Sequence, residues 1–305
     1  MTAAPTFPRL RLGTAPDSWG VWFPDDPAQV PWTRYLDEAS GAGYAWTELG
    51  PYGYLPTDPA ALADELSARG LRLTGGTVFA ALHRGRAALE EAKRACATEA
   101  ATILPLGARH LVLLPEGYTG PDGRLTQPAT LSDEAWRALT DGLTELGRFV
   151  RDELGCVLTV HSHADTHIAT PQEIDRVLRA TDPDAVTLCL DTGHVAYCGG
   201  DTIALIRDHP DRIAYVHLKS VDPAVRRRVM AEGLDFGAAV RLGAMVEPEL
   251  GEPPMPPVLE ALAGLGGDLF CIVEQDLYPC PPDVPLPIAQ RTFAYYAAHG
   301  LRVAG

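Results

Sequence analysis

Four strand-like segments in the second half of the chain each end in a side chain that can bind a metal ion. The four candidate ligands are His161, Asp191, His217 and Glu274. Each follows an apolar run rich in β-branched residues, and the carboxyl ends of parallel strands meet at one edge of a sheet or one mouth of a barrel. The pattern therefore predicts that these four side chains converge on one divalent cation.

Two imidazoles and two carboxylates form a mixed donor set of nitrogen and oxygen atoms. Such a set suits Mn²⁺, Co²⁺, Fe²⁺ or Zn²⁺, whereas Ca²⁺ and Mg²⁺ prefer oxygen ligands. We expect Mn²⁺ as the favoured ion. His161 and His163 lie two residues apart and face the same side of their strand, so either could be the ligand. The other would then contact substrate or support the metal ligands from behind.

Eight apolar runs alternate with amphipathic segments along the chain. The predicted strands are Leu10–Pro16, Ala45–Leu49, Leu73–Val78, His110–Pro115, Val157–Val160, Thr187–Leu190, Ile213–Val216 and Leu269–Val273. The predicted helices are Trp32–Ser40, Pro59–Arg69, Gly85–Leu106, Ser132–Glu153, Pro171–Ala180, Thr202–Asp208, Pro257–Leu265 and Pro287–Gly300. Continuous apolar strands are typical of a parallel sheet covered on both faces, and eight such units predict a TIM (β/α)8 barrel. A doubly wound sheet is the rival, but residues 13–17 lack its glycine-rich phosphate turn.

We expect residues 1–305 to form a single barrel domain, because no shift in composition marks a linker. The longest connection, 220–256, is rich in Pro, Gly and Glu and lies before the last predicted strand. At the carboxyl end of a barrel such an insertion would lie over the site as a lid. A surface excursion with its own short helix is the alternative.

The composition narrows the range of partners and compartments. A formal charge of −15 over 305 residues disfavours nucleic acid, because an acidic surface repels phosphate backbones. No run approaches the ~18 apolar residues of a membrane helix, and no secretory signal is visible, so no membrane contact is expected. Six cysteines without a CxxC pair favour a reducing, cytoplasmic location.

Several motifs of this chain resemble those of the xylose isomerase-like TIM barrels. The motifs are Asp191–His194 (DTGH), His217–Lys219 (HLK) and Glu274–Asp276 (EQD). Three further stretches are similar to those of inosose (2-keto-myo-inositol) dehydratases within that superfamily, which also contains sugar phosphate isomerases and epimerases. These stretches are 13–20 (GTAPDSWG), 48–50 (ELG) and 161–166 (HSHADT). The resemblance covers nearly the whole chain and implies a metal-dependent enzyme acting on a small polyol or keto sugar.

The resemblance implies a lyase that dehydrates a keto-inositol or related keto sugar through an enediolate intermediate. A metal-dependent sugar isomerase or epimerase is the alternative. Both reactions remove a proton next to a carbonyl, which requires a base and stabilisation of charge on oxygen. Two other readings are a DNA-repair enzyme like endonuclease IV, which the negative charge disfavours, and a non-catalytic sugar-binding barrel, which the intact metal ligands disfavour.

Three residues are predicted to take part in catalysis. Glu274 is a candidate base as well as a ligand. His194 could donate to a substrate oxygen or act as acid for the departing hydroxyl, although it could instead cap the following helix. Lys219 points inward like His217 and could bind a hydroxyl or help the leaving group, or it could simply neutralise a buried carboxylate.

Four residues are predicted to contact substrate, namely His163, Glu48, Glu116 and Trp19. The two glutamates end the second and fourth predicted strands, where pairing to a basic residue is the alternative. Trp19 belongs to a group of aromatic residues on the first two loops, which would form a wall for a sugar ring or merely cover the barrel mouth. Family analogy also suggests a homo-oligomer.

Overall fold

A barrel of parallel strands forms the centre of the structure, a computed structural model that describes residues 6–120 and 123–302. The strands, in chain order, are β1 (Phe7–Thr14), β2 (Trp46–Thr47), β3 (Arg72–Leu73), β4 (Gly75–Ala80), β5 (His110–Pro115), β6 (Val157–His161), β7 (Val186–Asp191), β8 (Ile213–Leu218), β9 (Ser220–Val221), β10 (Met245–Val246), β11 (Leu269–Val273) and β12 (Leu301–Arg302). All belong to the barrel sheet except β9 and β10, which form a separate antiparallel pair.

The hydrogen-bonded order of the barrel is β3-β2-β1-β11-β8-β7-β6-β5-β4, and β12 pairs with β1. Every pairing in this sheet is parallel. Only Thr74 separates β3 from β4, so the chain itself joins the two ends of the sheet and these two strands share one barrel position. Eight positions around a closed sheet confirm the predicted TIM barrel.

Eleven α-helices connect the strands. They are α1 (Trp32–Ala42), α2 (Pro59–Ser67), α3 (Arg86–Ile103), α4 (Asp133–Asp152), α5 (Pro171–Ala180), α6 (Thr192–Tyr197), α7 (Thr202–Asp208), α8 (Pro223–Glu232), α9 (Phe236–Arg241), α10 (Met255–Gly264) and α11 (Pro285–Ala298), all within the described residues. Thr170 and Glu173 form a reciprocal cap at the start of α5, which fixes where that helix leaves its loop. Among the described residues, no helix combines the length and the apolar character that a membrane crossing requires.

The structure corrects the predicted elements at three points. The third predicted strand is interrupted at Thr74, whose hydroxyl hydrogen-bonds to Tyr215 Oη at 2.6 Å inside the barrel. The first strand starts at Phe7 and ends at Thr14, because Pro16 begins a 3-10 turn over Pro16–Trp19. Helices α6, α8 and α9 were not predicted, since each is short or lacks a clear apolar period.

The barrel interior below the mouth is filled by apolar side chains. This inner layer consists of Ala15, Val112, Cys189, Tyr215 and Ile272, and all five are buried. Cys189 lies two residues before Asp191 on β7, so the layer forms the floor on which the candidate metal ligands stand. The six cysteines, all in the described ranges, are free thiols.

The insertion between β8 and β11 packs over the barrel mouth. It carries the β9–β10 pair with α8 and α9, and it builds a small apolar cluster of its own around Val229, Phe236 and Met245. Ala164 and Tyr197, from the loops after β6 and β7, belong to the same cluster. The insertion is therefore anchored to the loops that surround the site, and it carries two short helices of its own, α8 and α9.

Candidate metal centre

The structure brings the four predicted ligands together at the barrel mouth. His161, Asp191 and His217 are on β6, β7 and β8, and Glu274 directly follows β11. One ligand atom from each of the four lies within 4.8 Å of the others. Asp191 and His217 are register partners, so the parallel pairing of β7 and β8 sets them side by side.

Three distances define the cluster. His217 Nδ1 lies 2.9 Å from Glu274 Oε2 and 3.7 Å from Asp191 Oδ2. His161 Nε2 lies 3.4 Å from the same oxygen of Asp191. The side chain of Asp191 is 0% exposed and that of Glu274 10% exposed, so water screens these charges poorly.

The donor set fits a divalent cation because two of its inner atoms lack hydrogen bonds. Among the described residues, His217 Nδ1 and Asp191 Oδ2 are buried without a partner of acceptable hydrogen-bond geometry. The other atom of each is engaged: His217 Nε2 contacts Glu48 Oε1 at 2.9 Å, and Asp191 Oδ1 accepts from His194 N at 2.7 Å. A carboxylate on the far nitrogen of a ligating histidine is a recurring arrangement that orients the ring toward a metal.

Lys219 supplies a positive charge beside the cluster. Its Nζ lies 2.8 Å from Asp276 Oδ2, 3.0 Å from Glu274 Oε2 and 3.3 Å from Asp191 Oδ2. Burial alone would lower the pKa of Lys219, but these three carboxylates outweigh it and raise the pKa well above its usual value. A Cβ on Gly193 would lie 2.5 Å from Lys219 Cγ, so only glycine there leaves room for this side chain.

His194 is placed differently from the prediction. It is 0% exposed, its Nδ1 accepts from Ala164 N at 3.2 Å, and its Nε2 lies 3.3 Å from Lys219 Nζ. Burial holds the pKa of His194 well below its ordinary value, which keeps the ring neutral. The side chain therefore stands behind Lys219 and is not among the residues that line the cavity. Helix α6 is capped instead by Asp191.

The other candidate histidine, His163, lies two residues beyond the end of β6. Its Nδ1 lies 2.6 Å from the carbonyl oxygen of Ala164 and donates to it, and its ring packs 3.9 Å from that of His194. Burial lowers the pKa of His163 to about 3. Both His161 and His163 line the cavity, but of the two it is His161 that belongs to the cluster, so the geometry favours His161 as the ligand.

The other three residues that were predicted to contact substrate lie in three different places. Glu48 lies deep in the cavity, 2% exposed, against His217. Glu116 lines the rim, and its Oε2 pairs with Arg84 Nη2 at 2.8 Å, which is the pairing to a basic residue that was its alternative role. Trp19 was assigned wrongly, because it is buried in the core and donates its indole N–H to Glu38 Oε2 at 2.8 Å. The loop indole that lines the cavity is that of Trp22.

A cavity of about 960 Å³ opens above the cluster. Two acidic residues outside the predicted site, Asp17 and Asp276, line its polar end. Both carboxylate oxygens of Asp17 are buried without a hydrogen-bond partner in the described part of the chain, and Oδ2 lies 4.0 Å from Lys219 Nζ. Both residues lie inside motifs that resemble those of the family, at 13–20 and 274–276. Their place in these motifs is the feature of the sequence from which a role in the site could have been predicted.

Asp165 ties the insertion to the barrel mouth. Its Oδ2 accepts hydrogen bonds from Phe236 N at 2.8 Å and from Thr119 Oγ1 at 3.0 Å. Phe236 in turn packs on the rings of His163 and His194, at centroid distances of 5.0 and 4.8 Å. The insertion thus closes one side of the cavity and shields the imidazoles from water.

Comparison with known proteins places the chain in a family. The family model described as the xylose isomerase-like TIM barrel matches residues 36–290, so the chain belongs to this family. The chain is 31% identical over 277 residues to the inosose dehydratase of Geobacillus thermodenitrificans (strain NG80-2), covering 89% of this chain and 91% of the relative.

Two further comparisons agree with this assignment. The rhizopine catabolism protein MocC of Rhizobium meliloti is 34% identical over 274 residues, covering 85% of this chain and 80% of that protein. The crystal structure of the IolI protein with a bound zinc atom has a TM-score of 0.71 at 17% identity, covering 96% of this chain and 99% of that one, which shows a shared fold. Similarity to dehydratases over most of its length identifies the protein as an enzyme.

Replacing Glu48 with Gln tests whether the Glu48 carboxylate orients the ring of His217 toward the metal. We expect Mn²⁺ affinity, measured by isothermal titration calorimetry, to fall ~10–100-fold, because the carboxylate that orients His217 is lost. Glu116→Gln is the matched control, since this strand-end glutamate pairs with Arg84 instead and should leave the affinity unchanged. Equal Mn²⁺ affinity of the Glu48 variant and the wild type would contradict the orienting role.

Proposed function

We propose that the protein is a metal-dependent hydro-lyase that dehydrates a keto-inositol or a related keto sugar. The observation that carries the proposal is the joint presence of a four-ligand cluster and a buried Lys219–Asp276 pair at the base of one cavity. Similarity to inosose dehydratases over 89% of the chain supports the substrate class. A cytoplasmic location is proposed with it, because free thiols persist in a reducing compartment.

We propose Mn²⁺ as the bound ion, held by His161, Asp191, His217 and Glu274. The mixed nitrogen and oxygen donor set supports a divalent transition metal, and Co²⁺, Fe²⁺ and Zn²⁺ suit the same set. When bound, such an ion acts as a Lewis acid that stabilises negative charge on the substrate's keto oxygen as the enediolate forms. The remaining work of the reaction falls to side chains of the protein.

The base must be ionised and must reach the carbon next to the carbonyl. Glu274 meets the first requirement: burial would raise its pKa, but the charges of His217 and Lys219 outweigh this and hold the pKa below its usual range. It also lines the cavity. Glu274 is therefore proposed to remove the α-proton, while Lys219, fixed by Asp276, orients a neighbouring hydroxyl.

The acid must carry a proton that it can give to the departing hydroxyl. Burial, followed by the negative charge of Glu274, raises the pKa of Asp17 well above its usual value, which favours the protonated form of this carboxyl group. Asp17 faces the cavity with both oxygens free of hydrogen bonds to the described residues. Two carboxyl groups with opposite shifts are a common basis for separate acid and base roles. Asp17 thus takes the role first assigned to His194.

The reaction is tested with scyllo-inosose. The Mn²⁺-loaded protein should convert it to a conjugated dione with loss of one water. Ultraviolet absorbance measures the formation of the dione, and mass spectrometry measures the loss of water. Treatment with EDTA should lower the rate at least ~100-fold, because charge stabilisation by the ion is lost, and Mn²⁺ or Co²⁺ should restore it. Undiminished turnover after chelation would contradict the metal dependence, and an isomeric product without loss of water would establish the isomerase alternative.

The acid role of Asp17 is tested by separating proton removal from dehydration. Asp17→Asn should reduce dehydration of scyllo-inosose by ~10²–10⁴-fold, the usual contribution of a general acid. Exchange of the α-hydrogen in deuterium oxide, measured by proton NMR, should persist because Glu274 remains.

Asp25→Asn is the control, since this exposed carboxylate lies on the same loop away from the cluster. Equal loss of exchange and dehydration in the Asp17 variant would contradict the assignment, because it would place Asp17 in proton removal or in metal binding.

A further inference from the structure

The cavity has an outer part that a bare sugar ring does not fill. Its volume of about 960 Å³ lies near the top of the ~300–1,000 Å³ range in which drug-sized ligands bind, whereas a keto-inositol has only ~12 non-hydrogen atoms. The polar groups of the site occupy the inner end. We call the remainder the outer chamber and define it by Trp22, Phe23, Phe79, Ala88 and Tyr278, all of which line the cavity.

One wall of the outer chamber is a prebuilt aromatic surface. The rings of Trp22 and Tyr278 stack at 5.0 Å with an interplanar angle of 25°, and Phe23 meets Tyr278 edge to face at 5.5 Å. Tyr278 donates its hydroxyl to Asp26 Oδ2 at 2.7 Å. Ordered aromatic rings bind apolar groups with little further loss of conformational entropy.

The loop that carries Trp22 and Phe23 is fixed by one side chain. Gln29 Oε1 accepts hydrogen bonds from the backbone N–H groups of Trp22 and Phe23, at 2.6 and 2.9 Å, and Gln29 Nε2 donates to the carbonyl oxygen of Phe23 at 2.7 Å. All three bonds lie between positions 22 and 29. The aromatic surface is therefore held in position before any ligand arrives.

Phe79 provides a second apolar surface at the mouth. It lies two residues beyond Thr77 on β4, and Thr77 Oγ1 is 3.5 Å from Glu48 Oε2, so Phe79 stands one level above the inner site on the same strand face. The side chain is 56% exposed although it borders the cavity. Nearby Ala88, on α3, leaves room that a larger residue would occupy.

The charges around the cavity disfavour an anionic group in the outer chamber. Carboxylates outnumber cationic side chains in the described lining, and Arg84 is already paired with Glu116. A phosphate or carboxylate would therefore meet net repulsion. An uncharged apolar group would instead contact the stacked rings of Trp22 and Tyr278 and the ring of Phe79. Burying its apolar surface there is favourable.

We propose that the substrate carries an apolar, preferably aromatic, substituent on its sugar ring, which binds in the outer chamber while the ring occupies the metal end. The inference rests on the proposed function for the identity of the ring. It adds that Phe79 and Trp22 determine specificity. The substituent is predicted to contribute binding energy without taking part in the chemistry.

Matched pairs of unreactive ligands test this inference. The pairs are phenyl and methyl β-D-glucoside, and the benzyl and methyl ethers of myo-inositol, titrated calorimetrically into the Mn²⁺-supplemented protein. In at least one pair the aromatic member should bind about tenfold more tightly, the size expected from burying one phenyl ring. Phe79→Ala and Ala88→Phe should both reduce this preference to below about threefold, without weakening the methyl compound.

Ile203→Ala, at an exposed apolar residue on α7 outside the cavity, is the control and should keep the full preference. No measurable binding of the aromatic ligands, equal affinity within both pairs, or a preference that survives both chamber variants would overturn the inference. A dimer that dissociates on Phe79→Ala in sedimentation experiments would also overturn it, because a second copy would then cover the phenyl ring.

These ligands lack a ketone, so they report binding separately from turnover. A protein that dehydrates scyllo-inosose but shows no aromatic preference keeps the proposed function and loses the inference. A protein with the preference, abolished by Phe79→Ala, but with no dehydration supports the outer chamber and contradicts the proposed reaction.

Discussion

The structure of the site is governed by the need for positive charge among buried acidic groups. Asp191 and Glu274 are withdrawn from water together with Asp276, and a buried charge is stable only when it is paired or bound to a metal. Lys219 supplies one positive charge at distances of 2.8–3.3 Å. A divalent cation among the four ligands would supply the rest, which explains why His217 Nδ1 and Asp191 Oδ2 point inward without hydrogen bonds from the described residues.

The barrel delivers these groups because parallel strands place equivalent residues at one level. Asp191 and His217 meet through the register of β7 and β8, and the apolar layer beneath them, including Cys189 and Tyr215, keeps water away from below. Above them, Asp165 holds Phe236 of the insertion over the imidazoles. The protein thus provides a dry, oriented polar site and, at the mouth, the rigid aromatic surface of the outer chamber.

The barrel and the four clustered residues could be predicted from the sequence because each ligand ends a continuous apolar run. The bounds of two strands, His110–Pro115 and Leu269–Val273, were predicted as observed, because each is a continuous apolar run. The position of His194 could not be predicted, since it depends on how α6 turns behind Lys219. Similarly, the burial of Trp19 depends on its contact with Glu38 of α1, and the exposure of Asp17 to the cavity depends on a 3-10 turn after β1.

Anomalous X-ray diffraction from crystals of the protein grown with Mn²⁺ tests the central claim most directly. The account predicts one strong anomalous peak at the barrel mouth, with His161, Asp191, His217 and Glu274 all at ~2.0–2.3 Å, the usual range for such ligands. The absence of a peak there, or a peak that any of these four residues fails to contact, would contradict it.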